Sequence, residues 1–137
     1  MLAEATEGRD TTLIIAGLLH DSIEDQEVQH EELVHLFSKE VADIVLEVTD
    51  DMTISKPERK QLQVAYAPYK SPRAKMLRIA DKTSNLNSIL TSPPAHWDRP
   101  RRREYFEWAK RVVDGCRGVN PHLDALFNEA YQQRFSI

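Results

Sequence analysis

The chain has 137 residues, of which 41% are hydrophobic and 29% charged, and its net charge is −4. This length favours a single domain over residues 1–137, and the balance of apolar and charged residues excludes a disordered chain. The acidic balance argues against a non-specific nucleic-acid binder, and the longest apolar run, residues 13–19, is too short to cross a membrane. A single cysteine, Cys116, excludes an internal disulfide and predicts a reducing, cytoplasmic location.

Helical periodicity dominates the first half of the chain. Asp10 and the two threonines after it predict the start of a helix that runs to about Asp25. A short helix over 33–37 follows. The next apolar residues repeat at i, i+3, i+4 and i+7, which is the buried face of a helix: Val41, Ile44, Val45 and Val48. The polar stretch 49–57 ends in a proline and predicts a loop.

Proline and glycine divide the second half into further helices. The pattern predicts helices over 58–65 and from Arg73 to about Leu90. A long helix then begins at Asp98 or Arg99 and is expected to bury Tyr105, Trp108, Val112 and Val113. A last helix carries Leu123, Leu126, Phe127 and Ala130, and residues 2–5 resemble the end of another helix. No strand pattern is found, so we expect a compact all-α domain of about seven helices.

The sharpest chemical signal is the sequence HDSIED, residues 20–25. At 100° per residue, His20, Asp21, Glu24 and Asp25 fall within roughly 140° of one helix face. Three carboxylates and an imidazole repel each other there and are costly to desolvate, which favours a bound divalent cation. Imidazole and carboxylate together suit manganese, iron, zinc or cobalt. The alternative is an ordinary solvated acidic turn.

A second polar stripe lies on the helix after Pro72. Asp81, Asn85 and Ser88 are spaced at i, i+4 and i+7, beside the core-facing positions Ala74, Leu77 and Ala80. This placement predicts that the stripe lines an interior cleft, where Asp81 completes a metal site and the other two contact a ligand. The alternative is an ordinary polar helix surface.

The most basic stretch, residues 99–103, opens the long helix. Arg101 and Tyr105 are spaced at i, i+4, and arginine guanidinium groups suit phosphate recognition. The alternative is a solvated basic helix start. Positive charge at a helix N-terminus is unfavourable unless an anion lies nearby.

Taken together, these segments resemble the HD superfamily of metal-dependent phosphohydrolases. HDSIED, followed by a helix with ADKTSNL, is similar to the RelA/SpoT-type hydrolase domain in its small single-domain form. The stretches EVTDD, ERKQLQV and EYFEWAKRVVDG extend the similarity over nearly all of the chain. The resemblance implies an all-helical HD domain that removes the 3′-diphosphate from the stringent-response alarmone (p)ppGpp, a small-molecule nucleotide, with Mn²⁺ as the usual metal ion.

The resemblance also assigns roles to individual residues. His20, Asp21 and Asp81 match the family's metal ligands. Glu24 and Asp25 match the acidic pair that positions water and handles protons. The positions that match substrate contacts are Asn85, Ser88, Arg101 and Tyr105.

One departure from the family pattern concerns the N-terminus. The family places a further metal-ligating histidine in a PYxxHP context, and an Arg-Lys pair that packs on the base, before the HD helix; this chain has neither. We therefore expect an N-terminally shortened domain, with the remaining histidines, His30, His35, His96 and His122, on surfaces or loops. The alternatives are an HD enzyme acting on another nucleotide such as NADPH, an inactive nucleotide-binding relative, or a structural role. The sequence leaves the oligomeric state open.

Overall fold

A computed structural model of the chain describes residues 1–24, 35 and 38–137, without the side chains of 21–24. In these residues the chain folds into helices and forms no strand, which confirms the all-α prediction. The helices are α1 (Leu2–Ala5), α2 (Thr11–Glu24), α3 (Lys39–Val48), α4 (Lys56–Tyr66), α5 (Pro72–Thr91), α6 (Arg99–Asp114) and α7 (Pro121–Gln132). Short 3₁₀ helices follow α4 at Ala67–Tyr69 and α7 at Arg134–Ser136.

Side-chain caps explain where the helices begin. Asp10, Ser71 and Asp98 each accept a hydrogen bond from a backbone N–H in the first turn of α2, α5 and α6. The loop predicted over 49–57 ends earlier, because Ser55 caps α4 and Pro57 lies in the first turn of that helix. The Asp98 carboxylate also supplies a negative charge at the arginine-rich start of α6.

Helix α5 lies between two groups of helices. Its residues Ala74 and Leu77 pack with α2 and α3, where the predicted apolar face of α3 is buried. Its residues Ile79, Leu86 and Ile89 pack with α6 and α7. The polar stripe of α5 is therefore close to both groups. One expectation is wrong: Tyr105, predicted to be buried, is only partly buried, whereas the adjacent Phe106 is fully buried.

Some sequence predictions fall on residues that the structure does not describe. The predicted short helix over 33–37 and Asp25 lie outside the described residues. Of the histidines expected on the surface, His35, His96 and His122 are exposed, whereas His30 is likewise outside the described part. Among the described helices, none is both long and apolar enough to cross a membrane.

Candidate active site

His20 and Asp81 meet although 61 positions separate them in the chain. The Nε2 atom of His20 lies 3.3 Å from Oδ1 of Asp81, and His20 is only 6% exposed. The other ring nitrogen, Nδ1, is 3.0 Å from the carbonyl oxygen of Gly17. Because a carbonyl can only accept, Nδ1 carries the hydrogen of that bond. Nε2 therefore faces a carboxylate, and either a proton or a metal ion between the two atoms satisfies both.

This pair of side chains is a suitable start for a metal site. A metal-ligating histidine usually donates its second ring N–H to a carbonyl or carboxylate, which fixes the ring, as the bond to Gly17 does here. A cavity of about 360 Å³ opens beside the pair. Its walls include Met1, Leu2, Ile14, Leu18, His20, Leu77, Asp81 and Asn85.

Gly17 brings α1 close to this cavity. A Cβ atom at residue 17 would lie 2.7 Å from a methyl carbon of Leu2 and 3.4 Å from one of Leu77. The absence of a side chain thus lets Leu2 pack against α2 beside His20. One turn of helix, Leu2–Ala5, thereby forms one wall of the cavity.

The second oxygen of Asp81 has a different partner. The ammonium of Lys82 is 3.5 Å from Oδ2 and 4.2 Å from the centre of the Trp108 ring, and Lys82 is buried. Burial lowers the pKa of Lys82 to about 8, although the Asp81 carboxylate opposes this shift. Burial also raises the pKa of Asp81, but the hydrogen bond with His20 and the charge of Lys82 outweigh it and hold that pKa below its usual value. Asp81 thus stays ionised, with each oxygen fixed.

A buried arginine connects this region with α4. The guanidinium of Arg78 lies 3.5 Å from Asp50, and Arg78 is 7% exposed. The side-chain amide of Gln63 donates to both oxygens of Asp50, at 2.8 and 3.0 Å. Arg78 and Gln63 therefore both bind Asp50, and these contacts hold the loop before α4 against α5.

Asn85 and Tyr105 join α5 to α6. The amide nitrogen of Asn85 donates to the Tyr105 hydroxyl oxygen at 2.8 Å. Burial, with a further contribution from Asp81, raises the pKa of Tyr105 well above its ordinary value, so the phenol keeps its proton. Asn85 lines the cavity beside His20, and Tyr105 lines a second cavity between α4 and α6. This hydrogen bond is therefore the border between the two cavities.

The second cavity is lined mainly by basic and aromatic side chains, whereas the walls of the first are largely apolar. It encloses about 290 Å³, and three aromatic rings, those of Trp97, Tyr105 and Trp108, form part of its wall. Its basic side chains are Lys56, Arg59, Lys60 and Arg101, and Asp50 and Glu104 are its acidic ones. We call this cavity the cationic cleft. The exposed Arg101 guanidinium lies 4.4 Å from the centre of the Trp97 ring, which holds it in the wall of the cleft.

Only some of the predicted site residues contact one another in the part of the chain that the structure describes. His20 and Asp81 meet, and Asn85 bonds to Tyr105. Ser88 is exposed and lines a third cavity, of about 310 Å³, with both residues of that bond. Asp21 and Glu24 belong to α2, but their side chains are outside the description, as is all of Asp25. Among the side chains that are described, no three metal-binding groups come together.

The sequence did not indicate that Lys60, Lys82 and Trp108 lie at the candidate site. Lys82 directly follows Asp81, and consecutive helix residues ordinarily point in different directions. Spacing along the helix therefore does not predict the contact between the Lys82 ammonium and the Asp81 carboxylate. Lys56 and Lys60 are spaced at i, i+4, which is a usable signal for one basic helix face. Trp108 was expected in the core, as it is, but its contacts with two ammonium groups come from helices distant in sequence.

Comparison with known proteins identifies the class of this fold and site. The HD domain family matches residues 1–107. The chain therefore belongs to the HD domain family, and this membership implies dependence on a divalent metal ion. His20 and Asp81, with an imidazole and a carboxylate side by side, fit such an ion.

Particular relatives refine this picture. Two relatives are each 42% identical to this chain over 125 residues, which is 91% of this chain and 70% of theirs. They are the guanosine-3′,5′-bis(diphosphate) 3′-pyrophosphohydrolases MESH1 of Drosophila melanogaster and Homo sapiens. The solved structure of a metazoan ortholog of SpoT that hydrolyses ppGpp matches with a TM-score of 0.90 at 39% identity, over 99% of this chain and 78% of that one. The crystal structure of lmo0812 from Listeria monocytogenes matches with a TM-score of 0.73 at 28% identity, over 92% of this chain and 88% of that one.

Proposed function

We propose that this chain is a hydrolase that removes the 3′-diphosphate from guanosine 3′,5′-bis(diphosphate), giving GDP and pyrophosphate. The observation that carries the proposal is the position of two unlike cavities on either side of the Asn85–Tyr105 hydrogen bond. One cavity contains the side chains that suit a metal ion, and the other contains the cations that suit phosphate groups. The names of the relatives support the choice of nucleotide.

The chain's own residues divide the work. His20 and Asp81, together with Asp21 as the sequence proposes, would hold the metal ion. The ring of His20 is fixed by Gly17, and the Asp81 carboxylate is fixed by Lys82. Glu24 and Asp25 are proposed to orient the attacking water and to carry its proton. A bound divalent ion, for which we propose Mn²⁺, supplies charge that stabilises the phosphoryl group and acidifies water.

The substrate contacts lie towards the cationic cleft. Arg101 in its wall binds phosphate oxygens through its guanidinium group. The Tyr105 hydroxyl accepts a hydrogen bond from Asn85, so its own proton is available to a phosphate oxygen. Asn85 and Ser88 are proposed to contact the nucleotide near the border of the cavities. We further propose that the enzyme is cytoplasmic, in keeping with its single, buried cysteine.

Product analysis tests this proposal directly. The purified chain is incubated with ppGpp and Mn²⁺, and the nucleotide and pyrophosphate products are separated and quantified. We expect equal amounts of GDP and pyrophosphate, and loss of the reaction when EDTA removes the metal ion. GDP, which has no 3′-diphosphate, is the matched control and should release no pyrophosphate.

Two results would reject the proposal. A folded chain that leaves ppGpp intact with Mn²⁺ but cleaves NADPH is an HD enzyme for another nucleotide. A folded chain that binds ppGpp but hydrolyses neither nucleotide is an inactive relative that retains the pocket.

A further inference from the structure

Lys60 occupies an unusual position in the cationic cleft. Its ammonium lies 4.6 Å from the centre of the Trp108 ring and 5.7 Å from that of Tyr105. Lys60 is partly buried, and it lines the cleft between α4 and α6. A lysine ammonium over aromatic faces is held by the electrons of the rings while its hydrogens remain available to an anion.

Trp108 fixes the backbone of the same residue. Its indole Nε1 donates a hydrogen bond to the carbonyl oxygen of Lys60 at 3.0 Å. Helix α6 thus holds this carbonyl. The side chain of Lys60 also lies over the ring of Trp108, the residue that binds its carbonyl. One tryptophan therefore restricts both ends of the lysine, which lowers the conformational entropy lost when an anion binds.

The surroundings of Lys60 are rich in positive charge. Burial lowers the pKa of its ammonium, and the nearby Lys56, Arg101 and Arg111 lower it further, against the opposing charge of Glu104. A group of like charges held together in a half-closed cleft is unfavourable for the empty protein. An anion with several charged oxygens relieves this repulsion.

We infer that Lys60 is a further substrate-binding residue, whose ammonium, held over Trp108 and Tyr105, binds a phosphate group of the nucleotide. The inference rests on the proposed function for the identity of that nucleotide. Its neighbour in the wall of the cleft is Arg101, so the two cations approach the phosphates from α4 and α6, respectively. Trp108 acts through Lys60 and is a positioning residue.

Pyrophosphate binding tests the inference without turnover. Isothermal titration of the metal-free protein with pyrophosphate, in EDTA, compares the wild type with Lys60→Met and Lys60→Arg. Methionine keeps the length of the stem and removes the charge, so we expect Kd to rise about tenfold, the effect of one charge-assisted hydrogen bond. Arginine restores the charge and should bring Kd back to within about threefold of the wild type.

Lys110→Met is the matched control. Lys110 is also a lysine near an aromatic ring, 6.0 Å from the centre of Tyr131, but it pairs with Asp114 and does not line the cleft. The control changes the net charge equally and should leave Kd unchanged. The inference is overturned if Lys60→Met binds pyrophosphate like the wild type, if both methionine variants weaken binding equally, or if the wild type does not bind it.

These outcomes are separate from those of the proposed function. A protein that binds pyrophosphate through Lys60 but does not hydrolyse ppGpp retains this inference and loses the proposed activity. A protein that hydrolyses ppGpp, but binds pyrophosphate equally well without the Lys60 ammonium, retains the proposed activity and loses this inference.

Discussion

The two cavities on either side of the Asn85–Tyr105 hydrogen bond are built in contrasting ways. Beside α2, an imidazole and a carboxylate meet at 3.3 Å in largely apolar surroundings, and each polar atom has a fixed partner. In the cationic cleft, two long basic side chains, those of Lys60 and Arg101, lie over aromatic rings. The first arrangement suits a small cation that needs exact ligand positions. The second suits an extended polyanion, since flexible cations adjust to several phosphate oxygens.

The proposed function places the metal ligands and the phosphate contacts in different parts of a small domain. The bond between Asn85 and Tyr105 is the described contact at the border of the two parts. Substitutions beside His20 should therefore change the rate of the chemical step, and substitutions in the cationic cleft should change binding.

The largest effect is expected from the acidic pair that the sequence places one turn beyond His20. The double substitution Glu24→Gln and Asp25→Asn keeps the size of both side chains and removes their basicity. General acid–base assistance contributes about 10²–10⁴-fold, so kcat for ppGpp should fall by that factor. The KM should stay close to that of the wild type, because the proposed phosphate contacts lie in the cationic cleft.

Thermal melting of the metal-free double variant provides the control. Neighbouring carboxylates repel each other, so their removal should leave the melting temperature unchanged or slightly raised. Turnover at the wild-type rate would remove Glu24 and Asp25 from the mechanism.

A smaller effect is expected from Trp108→Phe, which keeps a ring and removes the indole N–H. The carbonyl of Lys60 loses its hydrogen bond, and the smaller ring leaves space in the core, because Trp108 is only 6% exposed. We expect the free energy of unfolding to fall by about 1–3 kcal/mol, as measured by urea denaturation. Pyrophosphate affinity should fall as well, because Lys60 is held less firmly. A destabilised protein with unchanged affinity would limit Trp108 to a structural role.

A pH-dependent effect of similar or smaller size is expected from Cys116. This residue is fully buried in the core and lines neither cavity, so it serves as a control. Burial raises the pKa of this thiol to about 11. An unfolded chain loses the thiol proton near pH 8.5, whereas the folded protein keeps it, so stability falls as pH rises between these values.

The comparison is between the wild type and Cys116→Ala. The free energy of unfolding that separates them should shrink by about 2 kcal/mol between about pH 8 and pH 10.5. A constant difference would show that this thiol titrates normally. At neutral pH, neither kcat nor KM should depend on it.

The sequence predicted the parts of this molecule that depend on local periodicity. The buried face of α3, the core positions of α5 and the caps Asp10 and Asp98 are all visible as spacing or residue type. The HDSIED motif and Asp81 also identified the His20–Asp81 contact, because each lies beside an apolar face that must be buried.

The cationic cleft was only partly predictable, for a physical reason. The positions of Lys60 and Trp108 in the cleft, like that of Lys82 beside Asp81, depend on contacts between helices that are far apart in the chain. Lysine stems are long and flexible, so spacing along a helix does not determine where the ammonium lies. The burial of Phe106 in preference to Tyr105 has the same origin, since the packing of α6 against its neighbours determines which of two adjacent rings is buried.

Steady-state kinetics of pyrophosphate release from ppGpp with saturating Mn²⁺ test the division between the two cavities most directly, using Asp81→Asn and Arg101→Met. The asparagine keeps the size of Asp81 and removes its charge, so kcat should fall at least about a hundredfold. Arg101→Met removes one phosphate contact, so KM should rise about tenfold while kcat is retained. If Arg101→Met instead lowers kcat as far as Asp81→Asn does with KM unchanged, or if Asp81→Asn keeps the wild-type kcat, the two cavities do not divide the reaction as described.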